Sequence, residues 1–147
     1  MASPVGAAIA QNPDASGVLL NIHPLDGAYT ALQSDSGKVF MISATAADYT
    51  ITLPVAANLQ EGWNCKFVVL EDTPSNVITI DAGSAIIDFV QKDPGADESN
   101  STKGTAKQLI VIQEAATKGD VINLFTDGVT YYGEVLSGIN DAIDHTA

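Results

Sequence analysis

Short runs of β-type residues, separated by turn residues, make up most of the chain from Lys38 onward. Several runs alternate apolar with polar positions, as Ile51 and Leu53 do with Thr50 and Thr52. A period of two is typical of a half-buried strand in an antiparallel sheet. The predicted strands are 38–43, 49–53, 64–71, 76–81, 85–90, 107–113, 120–126 and 131–136.

The segments between these runs have the composition of turns, rich in Gly, Pro, Asn, Asp and Ser. Pro54 ends the strand that reaches Leu53, because proline cannot donate a ladder hydrogen bond. Asp127 and Gly128, between two apolar runs, predict a β-hairpin. No amphipathic helix of a dozen residues stands out. The pattern therefore predicts an all-β protein, an antiparallel β-sandwich of about eight short strands that is jelly-roll-like.

The chain is expected to divide into an extended N-terminal arm (1–36), a β-sandwich domain (37–137) and a C-terminal tail (138–147). Prolines and glycines make a long helix in the arm improbable. Such a segment is either disordered, or extended and ordered only against another surface. An apolar cluster in the arm favours the second alternative and supplies its anchors. The cluster consists of Val18, Leu19, Leu20 and Ile22.

The charge of the chain bears on which partners it can bind. The 147 residues are 46% hydrophobic and carry 18 acids against 6 lysines, with no arginine and a net charge of −12. Binding to a phosphate backbone needs Lys and Arg to displace counterions, so no nucleic acid partner is expected. Neither a signal peptide nor a window of about 18 apolar residues is present, which predicts a soluble protein made in a cytoplasm, with no membrane partner.

Groups that could perform chemistry are sparse, and we expect no enzyme, no catalytic residue and no cofactor. His23 and His145 lie in the predicted arm and tail, away from a rigid scaffold that would position a general base. The loop with Asp93, Asp97 and Glu98 offers oxygen ligands for Ca²⁺ but lacks the EF-hand spacing, so a solvated loop without metal is the expectation.

The lone cysteine and the aromatic residues are interpreted as structural. Cys65 lies in an apolar run and reads as a small buried hydrophobe. Trp63 reads as an aromatic of the core or of a subunit interface, with its N–H at the edge. Tyr131 and Tyr132 are adjacent on one strand and point to opposite faces, which limits their use as a joint platform for sugar rings.

A set of motifs resembles a β-sandwich module of tailed-phage structural proteins over roughly residues 38 to 136. The motifs are "YTITLPVAANLQEGWNCKFVVLED", "NVITID", "AIID" and "DVINLFTDGVTYYGEV". Many members carry Asp-Gly-x-x-Trp-Tyr in the closing hairpin, where this chain has Tyr131 and Tyr132 after Asp127-Gly128. The module occurs in capsid decoration (cement) proteins, head fibres and tail fibres.

The resemblance implies a non-enzymatic capsid decoration protein on the outer surface of the phage head. It would stabilise the shell by clamping neighbouring subunits of the major capsid protein, and it would be a homotrimer. About 30 extended residues of arm would reach up to about 100 Å, enough to span neighbouring subunits. The alternative is a head-fibre or tail-fibre module that binds host surface glycans.

Overall fold

The computed structural model describes residues 20–72, 74–83, 85–92, 101–139 and 141–146. These residues form two β-sheets, with two single 3-10 turns at Gln33–Asp35 and Ala56–Asn58 as the helical elements. The strands are β1 Asn21–Leu25, β2 Tyr29–Thr30, β3 Lys38–Ile42, β4 Tyr49–Thr52, β5 Asn64–Val69, β6 Ile78–Asp81, β7 Ile86–Lys92, β8 Ser101–Lys107, β9 Leu109–Ile112, β10 Val121–Thr126, β11 Thr130–Leu136 and β12 Ile143–Thr146.

The seven-stranded sheet has the order β1-β3-β5-β10-β11-β7-β8, and the five-stranded sheet has the order β12-β9-β6-β4-β2. From β1 to β6 the chain alternates between the two sheets, so neighbours within each sheet are parallel. The pair β7 and β11 is parallel as well, whereas β10, β9, β8 and β12 pair antiparallel with their neighbours. The all-β prediction is confirmed, but the expectation of a purely antiparallel arrangement is wrong. Apolar alternation reports a half-buried strand and carries no information on the direction of its partner.

Each of the eight predicted runs coincides with a strand of the structure, from β3 to β7 and from β9 to β11. The described residues contain four further strands, β1, β2, β8 and β12. β1 contains Pro24, which is tolerated because the strand lies at the edge of its sheet. β8 is the polar run "STKGTAK", which lacks the apolar alternation used to find the others.

The parts expected to be an arm and a tail both contribute to the sheets. β1 and β2 precede residue 37, and β12 lies within 138–147. Buried Asp35 fastens the connection between β2 and β3. Its carboxylate accepts hydrogen bonds from Tyr29 Oη (2.9 Å), Leu32 N (2.8 Å) and Lys38 Nζ (2.6 Å). The strand-bearing body therefore begins before the predicted boundary at 37 and extends beyond the one at 137.

The inward faces of the two sheets share one apolar core, which gives the protein a sandwich-like architecture. In the seven-stranded sheet Phe40 stacks on Phe67 with ring centroids 5.2 Å apart. Ile51, Ile80 and Ile110 align across three strands of the opposite sheet and are fully buried. Burying one such side chain stabilises the fold by roughly 1.5–3 kcal/mol, so this shared layer holds the sheets together.

Pro54 ends β4 and also receives a hydrogen bond from the opposite sheet. Tyr131 is fully buried and its Oη donates to the Pro54 carbonyl oxygen at 2.6 Å. Trp63, 3% exposed, packs edge-on against Tyr131 with centroids 6.1 Å apart. The strand end at Leu53-Pro54 is thus connected to β11 by a partly buried hydrogen bond at the margin of the apolar core.

Within the described part of the chain, no helix is long and apolar enough to cross a membrane. Cys65 is buried, as expected for a small hydrophobe, and burial raises the pKa of its thiol well above the ordinary value.

Candidate functional site

The outer face of the seven-stranded sheet is the most apolar surface that the described residues present. Nine large hydrophobic side chains are exposed among these residues, and five of them lie on this face. The five are Leu20, Ile22, Val90, Phe125 and Leu136. Large exposed apolar patches mark interaction sites more often than scattered single residues do, so this face is the candidate binding surface.

Strand register places these side chains in rows that cross the sheet. One row runs Ile22, Val39, Lys66, Asn123, Glu134 and Val90. The neighbouring row contains Asn64, Phe125, Tyr132 and Asp88 on four adjacent strands. Since residues directly opposite one another across strands have Cβ atoms about 4.5–5.5 Å apart, each row is a continuous line of contacts.

The two rows enclose a hollow of about 570 Å³ above β7, β10 and β11. Its side chains combine an apolar part with carboxylates and one amide. They are Asp88, Phe89, Val90, Asn123, Phe125, Tyr132 and Glu134, together with the backbone of Gly133. A second hollow of about 280 Å³ shares Asn123 and Phe125 with the first and reaches Leu20. Together they form a groove across the face, in the size range of ligand pockets, about 300–1,000 Å³.

A stacked aromatic pair forms one wall of the larger hollow. Phe125 and Tyr132 are direct partners in the β10–β11 register, and their rings stack with centroids 5.4 Å apart and planes 27° apart. Phe125 is 52% exposed, so about half of its side chain is accessible to a ligand. Aromatic faces attract cations and also stack on sugar rings.

The hairpin between these strands fixes the pair through the chemistry of its turn. Gly128 adopts a φ of 90°, a left-handed conformation that favours glycine. The Asp127 carboxylate accepts hydrogen bonds from the backbone N–H groups of Val129 and Thr130, both at 2.8 Å, and from Tyr132 Oη at 3.1 Å. The same aspartate therefore closes the turn and orients the Tyr132 ring.

These contacts also set the charge state of the turn. Hydrogen bonds from the Thr130 and Val129 amides hold the pKa of Asp127 below its ordinary value. The hydrogen bond to Asp127 raises the pKa of Tyr132, because it stabilises the protonated phenol beside a negative charge. At neutral pH the aspartate is ionised and the tyrosine keeps its proton, which preserves this geometry.

Gly133 allows the floor of the hollow to pack closely. A Cβ at this position would lie 2.7 Å from Leu124 Cδ2 and 3.3 Å from Phe89 Cβ. Both neighbours belong to the core beneath the groove, so glycine lets adjacent strands bring large side chains under the site.

The predicted anchors and the predicted core aromatic lie in different environments. Leu20 is 62% exposed and Ile22 is 56% exposed, and both stand at the β1 edge of the candidate surface. Val18 and Leu19 lie outside the described residues. Trp63 lies in the core, and its Nε1 donates to the carbonyl oxygens of Leu32 and Gln33, each at 3.2 Å. The structure therefore brings Leu20 and Ile22 to the outer face and keeps Trp63 away from it.

The two histidines were predicted to lie in the arm and the tail, away from the rigid body. Both belong to strands of the structure, His23 to β1 and His145 to β12. His23 packs against Tyr29 and Phe40, with centroids 5.2 and 5.6 Å away, and His145 packs edge-on against Phe89 at 4.8 Å. No group of three or more His, Cys, Asp or Glu side chains that could hold a metal occurs among the described residues. The acidic loop considered for Ca²⁺, Asp93 to Glu98, lies outside them.

Sequence reasoning named Tyr132 but missed Phe125, Asp88, Asn123 and Glu134. The opposite orientation of the two adjacent tyrosines is confirmed, with Tyr131 buried and Tyr132 on the outer face. The Asp127-Gly128 hairpin signal, with its register, would have placed Phe125 opposite Tyr132. Asp88 joins them through the parallel pairing of β7 with β11, a contact with no local signal. No family model, curated protein or solved structure matches this chain.

Proposed function

We propose that the protein is a non-enzymatic structural component of a tailed-phage virion, a capsid decoration protein on the outer surface of the head. It binds the major capsid protein, associates with itself as a homotrimer and stabilises the shell by contacting neighbouring subunits. It is made in the host cytoplasm and uses neither a cofactor nor a nucleic acid partner. The observation that carries the proposal is the apolar outer face of the seven-stranded sheet.

That face has the composition of a protein contact surface. Exposed aliphatic residues and an aromatic pair occupy its rows, together with Lys66, Glu134 and Asp88. Exposed aromatic and aliphatic groups bordered by polar residues are typical of protein–protein interfaces. The resemblance to phage decoration modules supplies the identity of the partner, and the two sheets around one core agree with such a module at the level of architecture. The likeness to a jelly roll extends to the two packed sheets but not to the strand topology, because several strand pairs are parallel and a jelly roll is antiparallel.

The N-terminal anchors fit the same proposal. Leu20 and Ile22 lie at the edge of the contact surface, and Val18 and Leu19 precede them in the sequence. We assign all four to contacts with the capsid or a neighbouring copy. Fully burying a Leu or Ile contributes about 1.5–3 kcal/mol, and repetition over several copies multiplies the effect on avidity.

Co-sedimentation tests the proposal directly. The purified full-length chain is mixed with heads, stripped of decoration, from the tailed phage that encodes it. We expect saturable binding and heads that withstand higher temperature. The mass of the native protein should be that of three chains. Failure to co-sediment with these heads would refute the decoration role.

A glycan-binding fibre module is the second candidate, and the half-exposed Phe125 stacked on Tyr132 favours it. Aromatic faces stack on sugar rings, and carboxylates with an amide can bind sugar hydroxyls. A glycan array distinguishes the candidates. Specific sugar hits without head binding would replace the decoration role with this one.

A further inference from the structure

The chain enters the described body at one end of the groove. The residues that the structure describes begin at Leu20, which is 62% exposed and lines the smaller hollow together with Phe125. Residues 1–19, called here the N-terminal segment, precede Leu20 in the sequence. The segment is therefore tethered beside the apolar face by its own chain.

The N-terminal segment is long enough to follow the groove across the sheet. The groove runs over β3, β5, β10, β11 and β7, which are successive neighbours in the seven-stranded sheet. From β1 to β7 there are five strand spacings of about 4.8 Å, or roughly 24 Å. An extended chain covers about 3.3 Å per residue, so about eight residues cross this distance. Ile9 lies further from Leu20 than that and reaches the larger hollow without full extension.

The N-terminal segment is also matched to the groove in charge. Asp14 is its one ionisable side chain, so the other acids of the chain and all six lysines lie elsewhere. The groove presents both signs of charge, and Lys38 is already paired with Asp35 at 2.6 Å. A strongly acidic or strongly basic occupant would meet like charges at one end, which a nearly uncharged segment avoids. The charged lining residues are Lys38, Lys66, Asp88 and Glu134.

The apolar residues of the segment can remove the exposed face from water. Phe125 and Val90 are 52% and 44% exposed, and covering such side chains is favourable in water. A segment that crosses the face of a sheet cannot join the hydrogen-bond ladder, so its backbone N–H groups need other partners. Proline has no N–H, which suits the two prolines of the segment to this path. The branched apolar residues of the segment are Val5, Ile9, Val18 and Leu19.

We propose that in the free protein the N-terminal segment lies in the groove of its own chain, with Val18 and Leu19 in the smaller hollow and Ile9 in the larger one. The tether gives the segment an effective concentration in the millimolar range, which favours it over a separate molecule of similar chemistry. A partner that uses this face must displace the segment, so the segment controls access to the surface that the proposed function assigns to the capsid. The docking itself does not rest on the proposed function, because it takes place without the head.

A nitroxide attached to the N-terminal segment tests the docking in the full-length protein. The label is carried by Gln11→Cys, and Cys65 is buried beneath the sheet and shielded from the reagent. We expect the backbone amide signals of β10 and β11 to lose more than about half of their intensity, because the tether keeps the segment bound. The signals of β4 and β6 belong to the other sheet and should change little. Equal broadening of the two sheets would overturn the proposal.

A mixed sample distinguishes the segment of the same chain from that of a neighbouring copy. Isotope-labelled parent without a nitroxide is refolded from urea together with unlabelled Gln11→Cys that carries one. We expect the signals of β10 and β11 to keep their intensity in this sample. Broadening of these strands in the mixture would show that a second copy supplies the segment and would overturn docking on the same chain.

Variants of the segment identify the residues that hold it. The double variant Val18→Asn and Leu19→Asn should reduce the broadening of β10 and β11 at least about threefold, because two apolar contacts with the groove are lost. Ser16→Asn places the same side chain on the segment without removing an apolar group and should leave the broadening unchanged. Equal broadening in the double variant and Ser16→Asn would refute the assigned contacts.

The same substitution inside and outside the groove tests the receiving surface. Val90→Thr should reduce the broadening about twofold, because an apolar contact is lost from the larger hollow. Val129, 74% exposed, lies at the tip of the β10–β11 hairpin and lines neither hollow, so Val129→Thr should have no effect. Equal losses in the two valine variants would refute the groove as the site.

Head binding separates this inference from the proposed function. Docking of the segment in a protein that fails to co-sediment with heads would refute the decoration role and retain the docking. Co-sedimentation of a protein whose label broadens both sheets equally would refute the docking and leave the decoration role standing.

Discussion

The two outer faces of the sandwich are built on the same alternation and differ in how many large exposed hydrophobic side chains they carry. On the five-stranded sheet the outward positions are five threonines, two aspartates and the half-buried Leu109 and Val111 of β9; the threonines are Thr30, Thr50, Thr52, Thr79 and Thr146. On the seven-stranded sheet the outward positions include Ile22, Val90, Phe125 and Leu136. Threonine is β-branched, so it suits a strand while its hydroxyl is satisfied by water. Threonine would therefore suit the outward positions of a strand that faces solvent. The seven-stranded sheet carries large hydrophobic residues at several of these positions instead.

This contrast locates the binding role on one face. The sheets share a core, so the aliphatic side chains on the outside of the seven-stranded sheet add little to holding the sheets together. Their exposure is a cost in water unless another surface covers them. The threonine face is suited to remain in solvent on the outside of a particle.

The largest predicted effect comes from replacing exposed aliphatic residues of the seven-stranded sheet with threonine, the residue common on the outer face of the five-stranded sheet. In the triple variant Ile22→Thr, Val90→Thr and Leu136→Thr, we expect head binding to weaken at least 100-fold, about 2.8 kcal/mol, and the trimer to dissociate. Threonine is a good strand residue, so the far-ultraviolet circular dichroism should not change. Co-sedimentation and native mass measure both losses.

The matched control for this variant carries three substitutions on the threonine face, Thr30→Ser, Thr50→Ser and Thr52→Ser. It should bind heads like the parent, because these side chains stay in water. If the triple threonine variant kept full affinity, the binding surface would lie elsewhere on the molecule.

A single charge on each face gives a smaller and sharper comparison. Val90 is 44% exposed on β7, next to the edge strand β8, and Val90→Glu should weaken head binding about tenfold, roughly 1.4 kcal/mol. A desolvated carboxylate without a partner is costly at an interface. Thr50→Glu adds the same charge to an exposed position of the other face and should change affinity less than twofold. Equal losses in the two variants would show long-range repulsion and not a contact.

The sequence predicted the strands of the body well because their signal is local. Apolar alternation, as at Ile51 and Leu53, appears within five residues and marks a half-buried strand wherever its partner lies. The edge strand β1 and the polar strand β8 lack this signal and depend on neighbours distant in sequence for their pairing. The parallel pairs were missed for the same reason, since pairing direction is decided by connections between sheets.

The residues of the candidate site also divide into those with a local sequence signal and those placed by long-range strand pairing. The hairpin at Asp127-Gly128 is a local signal, and it brings Phe125 to Tyr132. The addition of Asp88 needs the parallel pairing of β7 with β11, which joins segments about 40 residues apart. The sequence also shows that Tyr131 and Tyr132 diverge, but only the packed structure decides which of them is outside.

Tyr131 and Tyr132 allow the same substitution to be compared on the buried and the outward side of one strand. Tyr131→Phe should lower the free energy of unfolding by about 1 kcal/mol, because the partly buried Pro54 carbonyl loses its hydrogen bond. Tyr132→Phe removes a hydroxyl whose hydrogen bond to Asp127 is exposed to water and should cost less than about 0.5 kcal/mol. Urea denaturation of the two variants measures the difference. A larger loss in Tyr132→Phe would mean that the turn, and not the core contact, stabilises this strand.

The smallest predicted effect appears only in alkaline solution. Burial raises the pKa of both Tyr131 and Tyr49 above the ordinary value, since the phenolate is disfavoured away from water. The unfolded chain loses these protons above about pH 10 while the folded chain retains them, so the contribution of these two groups to stability is constant below that pH and falls as pH rises through it. Tyr131→Phe removes one such group, and its stability should decline less steeply, by under about 1 kcal/mol near pH 10.3. Urea titrations at pH 8, 9 and 10.3 measure the slopes for the parent and for Tyr131→Phe. Parallel slopes for the parent and Tyr131→Phe would contradict the burial of that phenol in the shared core.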